Sequence, residues 1–375
     1  MQKSISVLVW IALLIFCQSA ATAKDTFTTY TNNDKDGMAR LQYCAAISLC
    51  NEKKYAEALK YCDVAIAFSP SFSDIYTIKG FVLCQLGQFA KAKQESTKAL
   101  TMRARNVTQV YTDLAWANCE LHHFEEGIED CNILTKMLPK VAQAYIDRSW
   151  GECALHRYRD AIEDANMAIR LEPTNSYPFV NRAWAMADIG QYDLAFADCK
   201  AAERLNCRDS NIYVNRGYTF SCLHDYEKAL ANFKLALFYD SKNAMAHNNM
   251  ACMQILQGRF QKAIDSCNQA MLCDSDLACA YDTRGRAWAK LGDMNKAIVD
   301  FSQAIILDKT DPSAVFDRAM AYLALRNLGN AAKDLQCGIA ISATEFRRGN
   351  VSVLPEDVRP WFSWIVLLQH CHHKS

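Results

Sequence analysis

A compact protein of 375 residues would divide into two or three domains, whereas a repeat array needs no such division. The 41 basic and 41 acidic side chains cancel, so no broad basic surface points to nucleic acid.

Residues 1–23 stand apart from the rest. Lys3 gives a positive start, Ile5 to Cys17 is almost wholly apolar, and Ala21-Thr22-Ala23 offers small residues for cleavage. This is the physical pattern of a secretory signal peptide, with an uncleaved anchor as the competing reading. Its apolar core is too short for a comfortable membrane span. Cys17 follows Phe16 and not a small residue, so it is not read as a lipid site. The chain is expected to be exported, to a periplasm, the extracellular space or the lumen of the endoplasmic reticulum. Cleavage removes one of 17 cysteines and leaves 16, which in an exported chain favours some disulfides.

Residues 24–38 form a polar, turn-rich lead-in. Nine repeats follow at 39–72, 73–106, 108–141, 142–175, 176–209, 210–243, 244–277, 278–311 and 312–345. An aromatic marks the turn in the first seven: Tyr55, Phe89, Phe124, Tyr158, Tyr192, Tyr226 and Phe260, continued by Met294 and Leu328. Each step is 34 residues except Phe89 to Phe124, which is 35. Two runs with helical periodicity flank each turn, so each repeat is predicted to be a helical hairpin. The eighth position is Ala46, Gly80, Ala115, Ser149, Ala183, Gly217, Ala251, Gly285 and Ala319, and the twentieth is equally small throughout. Helices approach closely only where neither carries bulk. Position seven is basic in Lys79, Arg148, Arg182, Arg216, Arg284 and Arg318. Sixteen residues later stand Glu95, Asp164, Asp198, Asn232, Asp300 and Asp334. This pairing predicts ion pairs or hydrogen bonds between the two helices of a hairpin.

These positions resemble the tetratricopeptide repeat family over about Ala39 to Thr344. The resemblance implies an all-α fold, a right-handed α-solenoid whose first helices line a concave side. Cys207, Ser241, Ser275 and Lys309 depart from the family by replacing the proline that ends the second helix in Pro70, Pro139 and Pro173. Residues 346–375 are expected to supply a C-terminal capping helix and tail. The helix is read from Pro355 to about Cys371, with Trp361, Phe362, Trp364 and Ile365 to Leu368 as its apolar content, and it would cover the last hairpin.

No glycine-rich phosphate loop, nucleophile elbow or two-helix zinc motif occurs, so neither catalysis, a cofactor nor a bound metal is expected. His122 and His123 read as solvated turn residues, and the tail His370 to His373 as a polar terminus. Cys62, Cys131, Cys199 and Cys267, at position twenty-four, are expected inside the hairpins as small hydrophobes. Cys50, Cys84, Cys119 and Cys153 form a row at position twelve. Cys50–Cys84, Cys119–Cys153 and Cys273–Cys279 are the candidate disulfides.

The candidate binding residues lie on the first helices, where positions two, six, nine and thirteen share one stripe. Position nine carries Phe81, Trp116, Trp150, Trp184 and Tyr218 in consecutive repeats. Position six beside it carries Asp113, Asp147, Asn181, Asn215 and Asn249. Aromatic faces give contact area at low entropic cost, and Asn or Asp can hold the amides of an extended chain. The pattern resembles the asparagine ladders with which some tetratricopeptide proteins grip peptide backbones. The alternative is that position nine packs one first helix on the next. Position five holds no lysine, so the carboxylate clamp of chaperone-tail binders is not implied. Asn106-Val107-Thr108 and Asn350-Val351-Ser352 fit the glycosylation sequon. The expected function is an exported adaptor that binds a protein or extended peptide, without nucleic acid and without a stable membrane span. Glycan binding on the same ladder and a chaperone-like or thiol-active factor are the alternatives.

Overall fold

The computed structural model describes residues 35–347. The expected signal peptide, most of the lead-in, the Asn350 sequon, and the expected capping helix and histidine tail lie outside the described residues. The chain forms two compact units that divide between Gln191 and Tyr192.

The N-terminal unit contains α1 (Lys35–Asn51), α2 (Tyr55–Phe68), α3 (Ser73–Gln85), α4 (Phe89–Thr101), α5 (Val107–Glu120), α6 (Phe124–Met137), α7 (Ala142–Ala154), α8 (Tyr158–Leu171) and α9 (Tyr177–Asp188). The C-terminal unit contains α10 (Tyr192–Leu205), α11 (Ser210–Cys222), α12 (Tyr226–Tyr239), α13 (Ala244–Leu256), α14 (Phe260–Cys273), α15 (Ala278–Lys290), α16 (Met294–Leu307), α17 (Ser313–Ala324) and α18 (Leu328–Arg347). No strand occurs among the described residues. Within each unit, consecutive helices pack together as hairpins. The lead-in is shorter than expected, because α1 is already helical at Lys35.

Each first helix ends in the same way. The residue at position fifteen takes a left-handed conformation, with φ +71° at Gly87 and +59° at Lys53, His122, His156 and Arg326. The next amide then reaches back five residues, as in Lys54 N–H to Leu49 O at 2.9 Å and Gln88 N–H to Leu83 O at 2.9 Å. This closure satisfies carbonyls that a helix end leaves open, and it turns the chain sharply into the second helix. His122 is therefore a turn residue, as the sequence implies, and His156 takes the same place in its repeat.

Inside the hairpins the small residues pair with particular partners. A Cβ added to Gly217 would lie 2.6 Å from the Phe233 ring, and one added to Gly285 would lie 2.6 Å from the Phe301 ring. Phe233 and Phe301 occupy position twenty-four. Where that position is Cys62, Cys131 or Cys267, position eight is Ala46, Ala115 or Ala251, and all six side chains are buried. In these repeats a ring meets a bare Cα and a thiol meets a methyl, so the larger group faces the smaller one.

The position-seven cations form the expected pairs and do more. Arg148 grips Asp164 with two hydrogen bonds of 2.7 and 2.6 Å. Arg284 holds Asp300 at 2.8 and 2.7 Å, and Arg318 holds Asp334 at 2.7 and 2.8 Å. Lys79 meets Glu95 at 2.8 Å, and Arg216 meets Asn232 at 2.6 Å. Arg182 and Asp198 fall in different units. Five of the six cations also reach back to position twenty-five of the preceding repeat, whereas Arg216 reaches Glu203 of its predecessor at 2.9 Å. Lys79 contacts Asp63 at 3.0 Å, Arg148 contacts Asn132 at 2.8 Å, and Arg284 contacts Asn268 at 2.7 Å. Arg182 bonds to Asn166 in the same way, and Arg318 bonds to Ser302 at 3.0 Å. Lys79, Arg148, Arg216, Arg284 and Arg318 each therefore tie one hairpin closed and fasten it to its predecessor.

Tyrosines at position four add a second fastening. The hydroxyl of Tyr76 donates to Pro70 O at 2.9 Å, and that of Tyr145 donates to Pro139 O at 3.0 Å. Where the proline is replaced, the bond persists: Tyr213 donates to Cys207 O at 2.8 Å and Tyr281 to Ser275 O at 3.1 Å. The acceptor is a backbone carbonyl, so the identity of that residue matters little.

Candidate functional site

Successive first helices pack on one another: α1, α3, α5, α7 and α9 in the N-terminal unit, and α11, α13, α15 and α17 in the C-terminal unit. Among the described residues, successive second helices show no comparable packing. Within each unit the first helices are therefore crowded together and the second helices splayed, which puts the first helices on the inner side of the curvature.

The position-nine aromatics of the N-terminal unit sit on this row. Phe81, Trp116 and Trp150 pack edge-on against the turn aromatic of the preceding repeat. Phe81 meets Tyr55 at 6.2 Å between ring centroids, Trp116 meets Phe89 at 5.7 Å, and Trp150 meets Phe124 at 6.3 Å. Trp184 joins Cys153, Tyr158 and Ala161 in one cluster. Phe81 is buried, while Trp116, Trp150 and Trp184 are half-buried. The two readings of position nine are thus combined in the tryptophans: one edge seals the seam between hairpins and the remainder is open to solvent. The indole N–H of Trp116 donates to Glu120 Oε1 at 2.9 Å, which fixes the ring. Tyr218, in the C-terminal unit, is half-buried as well.

Position six does not form an open stripe. Asp113 is 1% exposed and Asp147 5%. Each accepts from a glutamine one turn earlier, Gln109 at 2.8 Å and Gln143 at 2.7 Å. Burial holds the Asp113 carboxyl well above the usual carboxylate range, against the Gln109 hydrogen bond. These two carboxylates are interior groups and not surface grips. Asn181 is half-buried, and its side-chain amide already donates to Ile146 O at 3.0 Å. Asn215 and Asn249 are half-buried on the C-terminal unit.

The cysteines that sequence pairing would join carry thiols in the structure. Cys50–Cys84, Cys119–Cys153 and Cys273–Cys279 are not bonded. The helix phase at position twelve explains three of these residues. The thiols of Cys84, Cys119 and Cys153 point at the backbone of the next first helix and not at the neighbouring thiol. Cys84 Sγ donates to Asp113 O at 3.6 Å, Cys119 Sγ to Asp147 O at 3.9 Å, and Cys153 Sγ to Asn181 O at 3.5 Å. Burial pushes the Cys50 and Cys62 thiols up to about 12 and raises Cys119, Cys131 and Cys153 as well. Such thiols stay protonated and unreactive. Cys62, Cys131, Cys199 and Cys267 are buried within the hairpins, as expected.

Two features escaped the sequence reading. The acceptors at position twenty-five were one: Asp63, Asn132, Asn166, Asn268 and Ser302 stand only in repeats that precede a basic position seven. The burial of Asp113 and Asp147 was the other, and the glutamine four residues before each was its available sign. No helix among the described residues is long and apolar enough to cross a membrane.

No family model matches the sequence, and no curated protein matches it. Solved structures match in fold. The APC/C hetero-tetramer Cut9–Hcn1 superposes with a TM-score of 0.55 at 19% identity, over 79% of this chain and 58% of that one. The human IFIT1 dimer with m7Gppp-AAAA gives 0.51 at 14% identity, over 79% of this chain and 81% of that one. A tetratricopeptide repeat protein from Parabacteroides merdae gives 0.50 at 13% identity, over 68% of this chain and 99% of that one. This chain thus spans less than two thirds of the Cut9–Hcn1 chain it matches. The likeness is one of fold: the chain is an α-solenoid of tetratricopeptide type.

Proposed function

We propose that this chain is a non-enzymatic scaffold that captures an extended segment of a partner protein along the first helices of its N-terminal unit. Trp116, Trp150 and Trp184 are the anchors. The observation that carries this reading is their double placement: Trp116 and Trp150 are held edge-on by the preceding hairpin and Trp184 packs on Tyr158, yet all three rings still present part of their surface. A surface ring already fixed in place loses little freedom on binding, which is how aromatic anchors gain affinity. The resemblance noted in the sequence supports a protein ligand. The pattern of residues 1–23 supports export, so the partner would belong to an exported compartment.

The test uses a variant in which all three tryptophans become leucine, which keeps an apolar body against Phe89, Phe124 and Tyr158. Circular dichroism confirms the fold. Crosslinked capture from the exported fraction identifies bound segments, and each is then titrated as a synthetic peptide against the purified protein. At least tenfold weaker peptide binding in the variant is expected. Equal binding by both proteins would overturn the reading. Free sugars or a capped RNA oligonucleotide that displace the ligand, with peptides inert, would replace it with a glycan or nucleic-acid reading. N-terminal sequencing of the secreted protein tests export, with a new terminus near Lys24 expected.

A further inference from the structure

The C-terminal unit carries an apolar ridge on its second helices. Phe238 is 80% exposed, Leu272 79% and Ile306 64%. They are the same repeat position, twenty-nine, in three consecutive repeats on α12, α14 and α16. In the first five repeats this position is Ala67, Thr101, Lys136, Arg170 and Arg204. A solvated outer helix face accepts those residues without difficulty, so the change to Phe, Leu and Ile has no explanation in the folding of the hairpins. The change is confined to the repeats that lie just before the chain leaves α18. Tyr239 and Val299, both exposed, widen the same face.

We propose that this ridge is the seat of the chain's own C-terminal segment, Trp361–Leu368. The segment reads Trp-Phe-Ser-Trp-Ile-Val-Leu-Leu, with one polar residue in eight, and such a stretch requires burial. The geometry fits. Phe238 and Ile306 lie two hairpin steps apart on splayed second helices, so each step exceeds the roughly 10 Å between packed helices. Residues 355–371 would be about 25 Å long as a helix. The linker 348–360 can span up to about 43 Å, so every point of the ridge is within reach. In the ninth repeat position twenty-nine is Ala340, which leaves the path from the end of α18 low. The competing seat is the end of the last hairpin, where Met320 and Leu328 are exposed.

Amide hydrogen exchange of the full-length protein separates these seats. Phe238 and Leu272 are replaced together by aspartate in one variant, and Met320 and Leu328 in another. Other repeats already carry charge at position twenty-nine, so the first variant leaves the hairpins folded, with unchanged exchange in α11 to α16 as the control. The expected result is protection of residues 361–368 in the wild type, at least tenfold faster exchange in F238D/L272D, and little change in M320D/L328D. Three results would overturn the proposal: no protection in the wild type, loss only in M320D/L328D, or protection that vanishes on dilution and so comes from a second copy.

Discussion

Replacing Gly217 with alanine tests the paired volumes at positions eight and twenty-four. The added methyl would lie 2.6 Å from Phe233 Cε1 and 3.1 Å from the backbone oxygen of Ala229. The ring is fully buried and the carbonyl belongs to a helix, so neither has room to yield. Overpacking of this kind costs about 1–3 kcal/mol, from which the better helix propensity of alanine recovers about 1 kcal/mol. A net loss of up to about 2 kcal/mol is expected. With Phe233→Cys already in place the clash with the ring is gone, and the combination becomes the alanine–cysteine pair native to other repeats, which hold a methyl beside the same helix carbonyl. There the same Gly217→Ala change should stabilise by about 0.5–1 kcal/mol, although Phe233→Cys alone costs about 3–5 kcal/mol. The four proteins of this cycle are compared by urea unfolding, with amide exchange of α11 and α12 locating the loss. An identical effect of Gly217→Ala in both backgrounds would refute the reasoning, because the methyl would then not be meeting the ring.

Other substitutions probe different contacts. Arg148→Met leaves the buried Asp164 without its guanidinium and should cost about 3–5 kcal/mol, whereas adding Asp164→Leu should recover most of it; urea titration of the single and double variants decides. Lys53 holds a left-handed conformation that glycine adopts freely, so Lys53→Gly should raise stability by about 0.5–1 kcal/mol, and a lower urea midpoint would contradict this. Burial raises the Asp282 carboxyl to about 7, with Arg286 opposing and Asp317 and Asp311 adding to the shift. The folded value exceeds the unfolded one of about 4, so its stabilising contribution is complete below about pH 4 and is lost as pH rises through about 7. Asp282→Asn should therefore flatten the fall in melting temperature across that window, and an unaltered pH profile would count against the burial of this group.

What the sequence reveals depends on where the partner of each residue lies. The pairing of Arg284 with Asp300 was legible because both belong to one repeat at a fixed spacing. Its bond to Asn268 was not, since the acceptor sits in the preceding repeat and is neutral. The row of thiols at position twelve was legible as a row, but repeat spacing says nothing of which way each sulfur points, and the neighbouring backbone claimed Cys84, Cys119 and Cys153. Asp147 and Asn181 look alike as polar residues at position six, although one is interior and the other half-open. The tryptophans were identified as a ladder. Their edge-on support by Phe89 and Phe124 depends on how far one hairpin leans over the next, which periodicity does not encode.

The backward bonds of the position-seven cations divide the array into segments of unequal mechanical strength. Leu114 and Met250 occupy that position in the third and seventh repeats, so the junctions before those repeats lack the bond. Lys234, at position twenty-five of the sixth repeat, would repel a cation there in any case. Under tension applied through the chain ends, the seventh to ninth repeats, linked by Arg284 and Arg318, would leave as one block and release about 35 nm of chain. A force on the array would meet a few discrete yield points, the junctions before Leu114 and Met250 among them, in place of gradual stretching repeat by repeat.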